Sequence, residues 1–147
     1  MTAINKSALL PYSAAQMFAL VDEIEAYPQF LPWCKSTVVH HRTHDEVRAS
    51  IQIAKGGVQH SFTTVNRLQQ NKMIEVRLVE GPFRHLEGFW RFEPVGNEGC
   101  RINFDLEFEF SNKLIALTVG PVLQKIAESF IDAFSERAKE IYGQQRV

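Results

Sequence analysis

A chain of 147 residues has the length of one domain and can bury about two-thirds of its unfolded surface around a single core. Hydrophobic residues make up 45% of the chain and charged residues 22%, which excludes an intrinsically disordered or fibrous protein. The 16 basic and 17 acidic side chains nearly cancel, so the chain lacks the basic field typical of a DNA-binding protein. We therefore expect one domain over residues 1–147 and no DNA partner.

The first residues show neither the apolar core of a secretion signal nor the Arg-rich pattern of a transit peptide. No uninterrupted apolar run approaches the roughly 20 residues that span a bilayer. The two cysteines, Cys34 and Cys100, are too few for a disulfide framework. These observations favour a cytoplasmic protein with two free thiols.

Phenylalanine dominates the aromatic residues, with 11 copies against 3 tyrosines and 2 tryptophans. Its ring carries no polar group that needs a buried partner, so a Phe-rich chain can line a large dry interior.

The N-terminal quarter of the chain combines a strand, a short helix and an irregular apolar segment. Thr2 to Leu10 is β-prone, and Ser13 is a candidate N-cap for a short helix that ends near Asp22. Residues 24–33 (IEAYPQFLPW) contain two prolines and three aromatic residues. This segment is too broken for a long helix and too apolar for a solvated loop, so we expect it to fold over the core.

From Cys34 to Phe110, turn signals recur at short intervals and predict about five or six antiparallel strands. Gly88 falls on the inner face of the second-last strand, where it leaves room or marks a bend. The last strand alternates most clearly between apolar and charged residues, and its predicted inward members are Cys100, Ile102, Phe104, Leu106, Phe108 and Phe110.

After a candidate cap at Ser111-Asn112, the apolar spacing predicts a helix to about Tyr142, with Gly143 as its terminator. Gly120-Pro121 interrupts the pattern, because proline lacks the N–H for the helical hydrogen bond. We therefore predict a kink there, or a helix that starts at Pro121. The order of elements indicates an α+β fold in which a curved antiparallel sheet surrounds this helix.

The residues that could carry catalysis or bind metal are better explained by ordinary positions. His40, His41 and His44 lie in a predicted hairpin, where neighbouring strand residues point to opposite faces, which favours surface histidines over metal ligands. Cys34 has a basic neighbour in Lys35, but a small buried hydrophobe is the favoured interpretation. Since no nucleophile–base pair or paired carboxylates stand out, we predict a protein that is not an enzyme and holds no metal.

Two long segments resemble the signature of the coenzyme-Q-binding, START-like family, whose members are also labelled polyketide cyclase/dehydrase. The segments are Phe18–Cys34 (FALVDEIEAYPQFLPWC) and Gly81–Phe92 (GPFRHLEGFWRF), with shorter matches at Ala133-Phe134, Arg137-Ala138 and Tyr142-Gly143. The resemblance covers essentially the whole chain. It implies the helix-grip fold, in which the curved sheet grips the C-terminal helix around a hydrophobic tunnel.

The resemblance also implies two functions. Mitochondrial members bind ubiquinone and support respiration, whereas bacterial ribosome-association toxins bind the large ribosomal subunit and block its joining to the small one. Our leading hypothesis is non-enzymatic binding of ubiquinone or a similar polyisoprenoid lipid, with transient contact at the inner membrane surface. The alternative is a toxin that inhibits translation initiation. The cyclase label finds no acid/base pair to support it.

The lipid hypothesis treats ubiquinone as a bound ligand, with no further cofactor, and assigns it a set of residues. Tyr27 and His85 are the candidate donors to its head group. The predicted tunnel wall consists of Leu31, Trp33, Trp90, Phe104, Leu123, Phe130 and Phe134.

The ribosome hypothesis needs local positive charge. The strand pattern places several arginines on the outer face of the sheet, but acidic residues lie among them, which favours a mixed, solvated surface. These arginines are Arg48, Arg67, Arg77, Arg91 and Arg101.

Overall fold

The computed structural model describes residues 1–143 as a curved antiparallel sheet of seven strands that packs against helices. Along the sheet the strands follow the order β1-β7-β6-β5-β4-β3-β2. The strands are β1 (Thr2–Leu10), β2 (Cys34–Arg42), β3 (Glu46–Lys55), β4 (Val58–Gln69), β5 (Met73–Glu80), β6 (Phe83–Val95) and β7 (Gly99–Phe110). The helices are α1 (Ala14–Asp22), α2 (Tyr27–Phe30), α3 (Lys113–Glu128) and α4 (Phe130–Tyr142), with a single 3₁₀ turn at Ile24–Ala26. The predicted α+β helix-grip architecture is confirmed.

The N-terminal helix begins where the sequence predicts. Ser13 Oγ accepts a hydrogen bond from the Gln16 amide at 3.0 Å, and Gln16 Oε1 accepts one from the Ser13 amide at 2.9 Å. This reciprocal capping box satisfies two amides that the first turn leaves without helical partners. The irregular segment that follows folds over the core as expected, because Leu31 and Trp33 are both buried.

The sheet confirms the alternation read from β6 and β7. The residues buried on its inner face are Leu86, Trp90 and Phe92 of β6 and Cys100, Ile102, Phe104, Leu106 and Phe108 of β7. At Gly88 the inner face holds no spare room. A Cβ there would lie 3.1 Å from the Asp105 carbonyl oxygen and 3.1 Å from Leu106 Cδ1. The glycine therefore permits a close approach of β7 and does not enlarge the interior.

The C-terminal helix breaks at a different position from the one predicted. Pro121 lies inside α3, whereas α3 and α4 meet at Ser129 with a bend of 43°. Proline has no N–H, so Pro121 leaves the carbonyl of Leu117 without its helical donor. Both residues are exposed, so water can hydrogen-bond to that carbonyl. At the break, Ser129 Oγ donates to the Ile126 carbonyl at 2.7 Å and so competes with the regular helical pattern.

The two halves of this helix pair are held differently. Asn112 caps α3, since its side chain accepts from the Ile115 amide at 2.9 Å. The C-terminal end of α4 is tied to the N-terminal region, because Tyr12 Oη donates to the Gly143 carbonyl at 3.0 Å. Within residues 1–143 no single helix is both long and apolar enough to cross a bilayer, and only the bent α3–α4 pair together reaches that length and hydropathy.

An arginine fixes α1 against the sheet. Arg42 at the end of β2 contacts Asp22 Oδ2 at 3.1 Å and Glu25 Oε1 at 3.2 Å, and it donates to the Asp22 carbonyl at 2.9 Å. Burial, the largest effect, raises the pKa of Asp22 although the Arg42 charge opposes it. Within the described residues, Asp22 Oδ1 is the one side-chain oxygen or nitrogen that is fully enclosed at the atom itself and has no hydrogen-bond partner.

Candidate functional site

A cavity of about 90 Å³ lies between the inner face of the sheet and the α3–α4 pair. Its wall is almost entirely apolar, and its two polar members are Thr64 and Asn66 on β4. The apolar wall consists of Val21, Ile24, Tyr27, Trp33, Ile51, Phe62, Ile74, Val76, Leu86, Trp90, Phe104, Leu106, Leu123, Ala127, Phe130 and Phe134.

An aromatic cluster forms the part of the wall next to the helix break. The rings of Trp90 and Phe104 lie 4.3 Å apart between centroids, and Phe130 lies 5.3 Å from Phe104 and 5.5 Å from Trp33. Phe134 meets Trp90 edge to face at 5.4 Å. Phe130 is the first residue of α4, so the break at Ser129 decides where this ring points.

The structure brings most of the predicted wall residues together. Six of the seven line the cavity, and the exception is Leu31, which is 1% exposed and packs in the core outside the cavity wall. A ligand contact for any of them stays a prediction. The six that line the cavity are Trp33, Trp90, Phe104, Leu123, Phe130 and Phe134.

The two predicted head-group donors are placed differently. Tyr27 lines the cavity, but its hydroxyl donates to the Val21 carbonyl, and burial raises the pKa of this phenol. That hydrogen bond leaves the Tyr27 proton engaged within the fold. His85 lies on the outer face of the sheet, where its Nε2 atom is 3.8 Å from Glu107 Oε2. The strand alternation accounts for this, because His85 precedes the inward Leu86.

The polar residues of the wall were missed from the sequence. Thr64 and Asn66 are both buried, and Thr64 Oγ1 donates to Asn66 Oδ1 at 3.1 Å. In the described part of the chain no hydrogen bond uses the amide nitrogen of Asn66, so this side chain offers a donor to the cavity. The sequence did contain a signal, because Thr64 and Asn66 occupy the same alternate positions of β4 as Phe62 and Leu68 and so lie on the same face of the strand.

The outer face of the sheet carries the predicted arginines in a mixed setting. Arg77 lies 2.6 Å from Glu75 and 3.4 Å from Glu87, and Arg91 lies 2.9 Å from Asp105. Across the described residues no ion pair involves the other three, which are Arg48, Arg67 and Arg101.

Other reactive groups lie in unreactive positions. Burial raises the pKa of Cys34 and of Cys100 to about 11, and both thiols are free and buried. His40 Nε2 is 2.7 Å from Ser50 Oγ on the neighbouring strand. Among residues 1–143, no group of three or more His, Cys, Asp or Glu side chains is arranged to hold a metal ion.

Comparison with known proteins identifies the family of this cavity-containing fold. A family model described as polyketide cyclase / dehydrase and lipid transport matches residues 10–135. The chain belongs to this family. The family's description includes enzymes as well as lipid transport, so membership alone does not decide whether this member is an enzyme.

Two relatives and one solved structure are similar to this chain. The chain is 45% identical over 143 residues to the ribosome association toxin RatA of Escherichia coli, covering 97% of the chain and 90% of RatA. It is 29% identical over 150 residues to a mitochondrial coenzyme Q-binding protein of Xenopus laevis, covering 97% of the chain and 60% of that protein. A START superfamily protein from Mycobacterium smegmatis shares the fold, with a TM-score of 0.79 at 21% identity over 95% of this chain and 98% of that one.

Proposed function

We propose that this protein associates with the ribosome in the manner of the RatA toxins, binding the large subunit and blocking its joining to the small one. The 45% identity to E. coli RatA over 97% of the chain carries this proposal. The similarity to the coenzyme Q-binding protein is weaker, at 29%. The comparisons thus favour the hypothesis that the sequence alone placed second.

The outer face of β3 and β4 supports the proposal with two exposed arginines, although Glu46 and Glu75 lie directly opposite Arg67 on the two neighbouring strands. Arg48 and Arg67 are exposed and, among the described residues, have no ion pair. Val65 lies directly opposite Arg48 and two residues before Arg67, so the two arginines are diagonal neighbours on this face. Binding that depends on phosphate contacts should weaken steeply as the salt concentration rises.

The test follows the joining of purified ribosomal subunits on a density gradient. The protein in excess should reduce joining, and the double variant Arg48→Glu/Arg67→Glu should restore it. Arg91→Glu is the matched control, because Asp105 already neutralises Arg91. Undiminished joining with the unaltered protein would contradict the proposal. Equal effects of the two variants would show that the ribosome does not bind at Arg48 and Arg67.

The cavity supports a second candidate function, the non-enzymatic binding of an apolar ligand such as ubiquinone or a related polyisoprenoid lipid. Each CH₂ group moved from water into an apolar wall contributes about 0.8 kcal/mol. The free amide donor of Asn66 suits a quinone carbonyl better than the engaged hydroxyl of Tyr27.

The size of the cavity limits this candidate. At about 90 Å³ it is smaller than the roughly 150 Å³ apolar cavity that accommodates one benzene ring. A quinone with several isoprene units therefore needs the wall to open, with α3 or the segment at residues 24–33 moving away from the sheet.

The test uses the two tryptophans of the chain, Trp33 and Trp90, both of which line the cavity. A short-chain ubiquinone in the cavity should quench their fluorescence saturably, and mass spectrometry of an organic extract should identify any lipid that copurifies. Phe130→Lys should abolish the quenching by charging the wall, whereas Phe89→Lys on the outer face should not. Absence of saturable quenching and of extracted lipid would count against this function.

A further inference from the structure

The most exposed apolar residues of the helices lie at the start of α3. Leu114 is 72% exposed and Leu117 is 77% exposed, although both belong to a regular helix. Their spacing of three residues puts them on one side of α3, and the exposed Pro121 continues that side. A leucine pair left in water on a helix that also buries Val119 and Leu123 marks a surface for a partner.

This start of α3 is tied to the turn between β5 and β6. The Ser111 amide donates to the Pro82 carbonyl at 3.0 Å, and Ser111 Oγ donates to the same oxygen at 3.2 Å. Val79, at the β5 side of that turn, is 40% exposed and adds an apolar side chain to the same end of the molecule. We call α3 residues 113–121 together with residues 79–82 the tip.

The tip is also continuous with the cavity. Phe62, which lines the cavity, lies directly against the turn, since a Cβ on Gly81 would be only 2.7 Å from Phe62 Cβ. Phe62 is partly exposed, so the wall reaches the surface beside the turn.

The charges at the tip end of the sheet are mainly positive. The antiparallel register brings the end of β7, the start of β6, the β3–β4 turn and the start of β2 to one end. This end carries the cations Lys35, Lys55, Arg84 and Lys113 against the acids Glu80 and Glu109, and Glu109 lies 3.9 Å from Arg84.

The opposite end of the sheet has the reverse charge, although the whole chain has a net charge of -1. Its cations include Arg42, Lys72, Arg67 opposite Glu46 and Arg101 opposite Glu93, and they are outnumbered by its acids. Its acids are Asp22, Glu23, Glu25, Asp45, Glu46, Glu93 and Glu98.

We infer that the tip docks onto the surface of an anionic lipid bilayer, with Leu114 and Leu117 among the acyl chains and Lys113 at the headgroups. A leucine side chain gains from a hydrocarbon phase and a lysine from anionic headgroups, and one helix end offers both. Ribosomal RNA would use the cations but would leave the two leucines in water. Docking would bring the cavity next to the phase that holds polyisoprenoid lipids. This inference does not depend on ribosome association.

Co-sedimentation with lipid vesicles tests the inference. The unaltered protein should bind vesicles of phosphatidylglycerol mixed with phosphatidylcholine, and much less to vesicles of phosphatidylcholine alone. The double variant Leu114→Ser/Leu117→Ser should lower the partition coefficient by at least about tenfold for each leucine. Lys113→Glu should lower it by about fivefold or more.

Leu9→Ser is the matched control, because Leu9 is 61% exposed on β1 at the opposite, acidic end. It should bind vesicles as the unaltered protein does, and circular dichroism should show that all variants are folded. Lack of binding by the unaltered protein, or equal loss in the Leu9 variant, would overturn the inference. So would a loss that follows Lys113→Glu but not the leucine substitutions, since that pattern describes a purely electrostatic surface. In the subunit-joining assay the leucine double variant should act like the unaltered protein, which keeps the two functions distinguishable.

Discussion

A larger side chain that fills the cavity tests two properties of the cavity separately: the stability that the void costs and the ligand binding that it permits. Ala127 on α3 is 1% exposed and lines the cavity, so Ala127→Leu sends a branched side chain into the void. At about 24 cal/mol per Å³, the cavity of about 90 Å³ costs at most about 2 kcal/mol. Three added carbon groups at about 0.8 kcal/mol each give the same figure of about 2 kcal/mol.

We therefore expect Ala127→Leu to raise the free energy of unfolding by up to about 2 kcal/mol, which corresponds to about 4–8 °C in Tm for a chain of this length. Thermal denaturation followed by circular dichroism measures the change. The same variant should lose saturable quenching by a short-chain quinone while it still blocks subunit joining.

Ala138 provides the matched control, because it is 0% exposed in α4 and does not line the cavity. Ala138→Leu should overpack the core and lower stability by about 1–3 kcal/mol. If Ala127→Leu lowered stability by a similar amount, the reasoning would be refuted, since no usable void would then lie beside Ala127.

Three further predictions concern single side chains. Burial raises the pKa of Cys34 and Cys100 to about 11, so a thiol reagent at pH 8 should label both quickly only after denaturation, and fast labelling of the folded protein would contradict this. The free energy of unfolding should also fall as the pH rises from about 9 towards 11, because the thiols of the unfolded chain ionise first. Arg42→Ala should lower the free energy of unfolding in a denaturant titration by about 1–2 kcal/mol. Arg84 forms a longer ion pair of 3.9 Å, so Arg84→Ala should change the free energy of unfolding by less than about 0.5 kcal/mol. Similar values for the two variants would show that Arg42 does not fix α1. Gly81→Ala should lower Tm, because its Cβ would lie 2.7 Å from that of Phe62, and an unchanged Tm would show that the turn moves freely.

Patterns with strong local causes could be predicted from the sequence. The alternation of β7 follows from burying one face of a strand, and the cap at Ser13 follows from the unpaired amides of a helix start. The helix break could not be placed, because Pro121 looks like the stronger breaker. The cost of a proline depends on whether water reaches the orphaned carbonyl, and a serine at position 129 gives no comparable signal.

The site was predictable as a set of apolar rings but not as a void. A cavity is the small space left between a curved sheet and a bent helix, and neither curvature nor bend angle can be read from periodicity. Leu31 shows this limit, since it is as buried as the wall residues yet packs elsewhere. Asn66 shows another limit, because its inward position follows only from its alternation with Phe62 and Leu68, and a polar side chain at such a position does not itself indicate burial.

The helices α3 and α4 meet at Ser129, and each is anchored at the end that lies away from this break. The end of α4 is held by Tyr12, and the start of α3 is tied to the β5–β6 turn by Ser111. Leu114 at one end of α3 and Ala127 near the other are separated by about 20 Å along the helix axis. The same helix carries the exposed leucines and part of the cavity wall, so we expect a displacement of its exposed end to change the volume of the cavity.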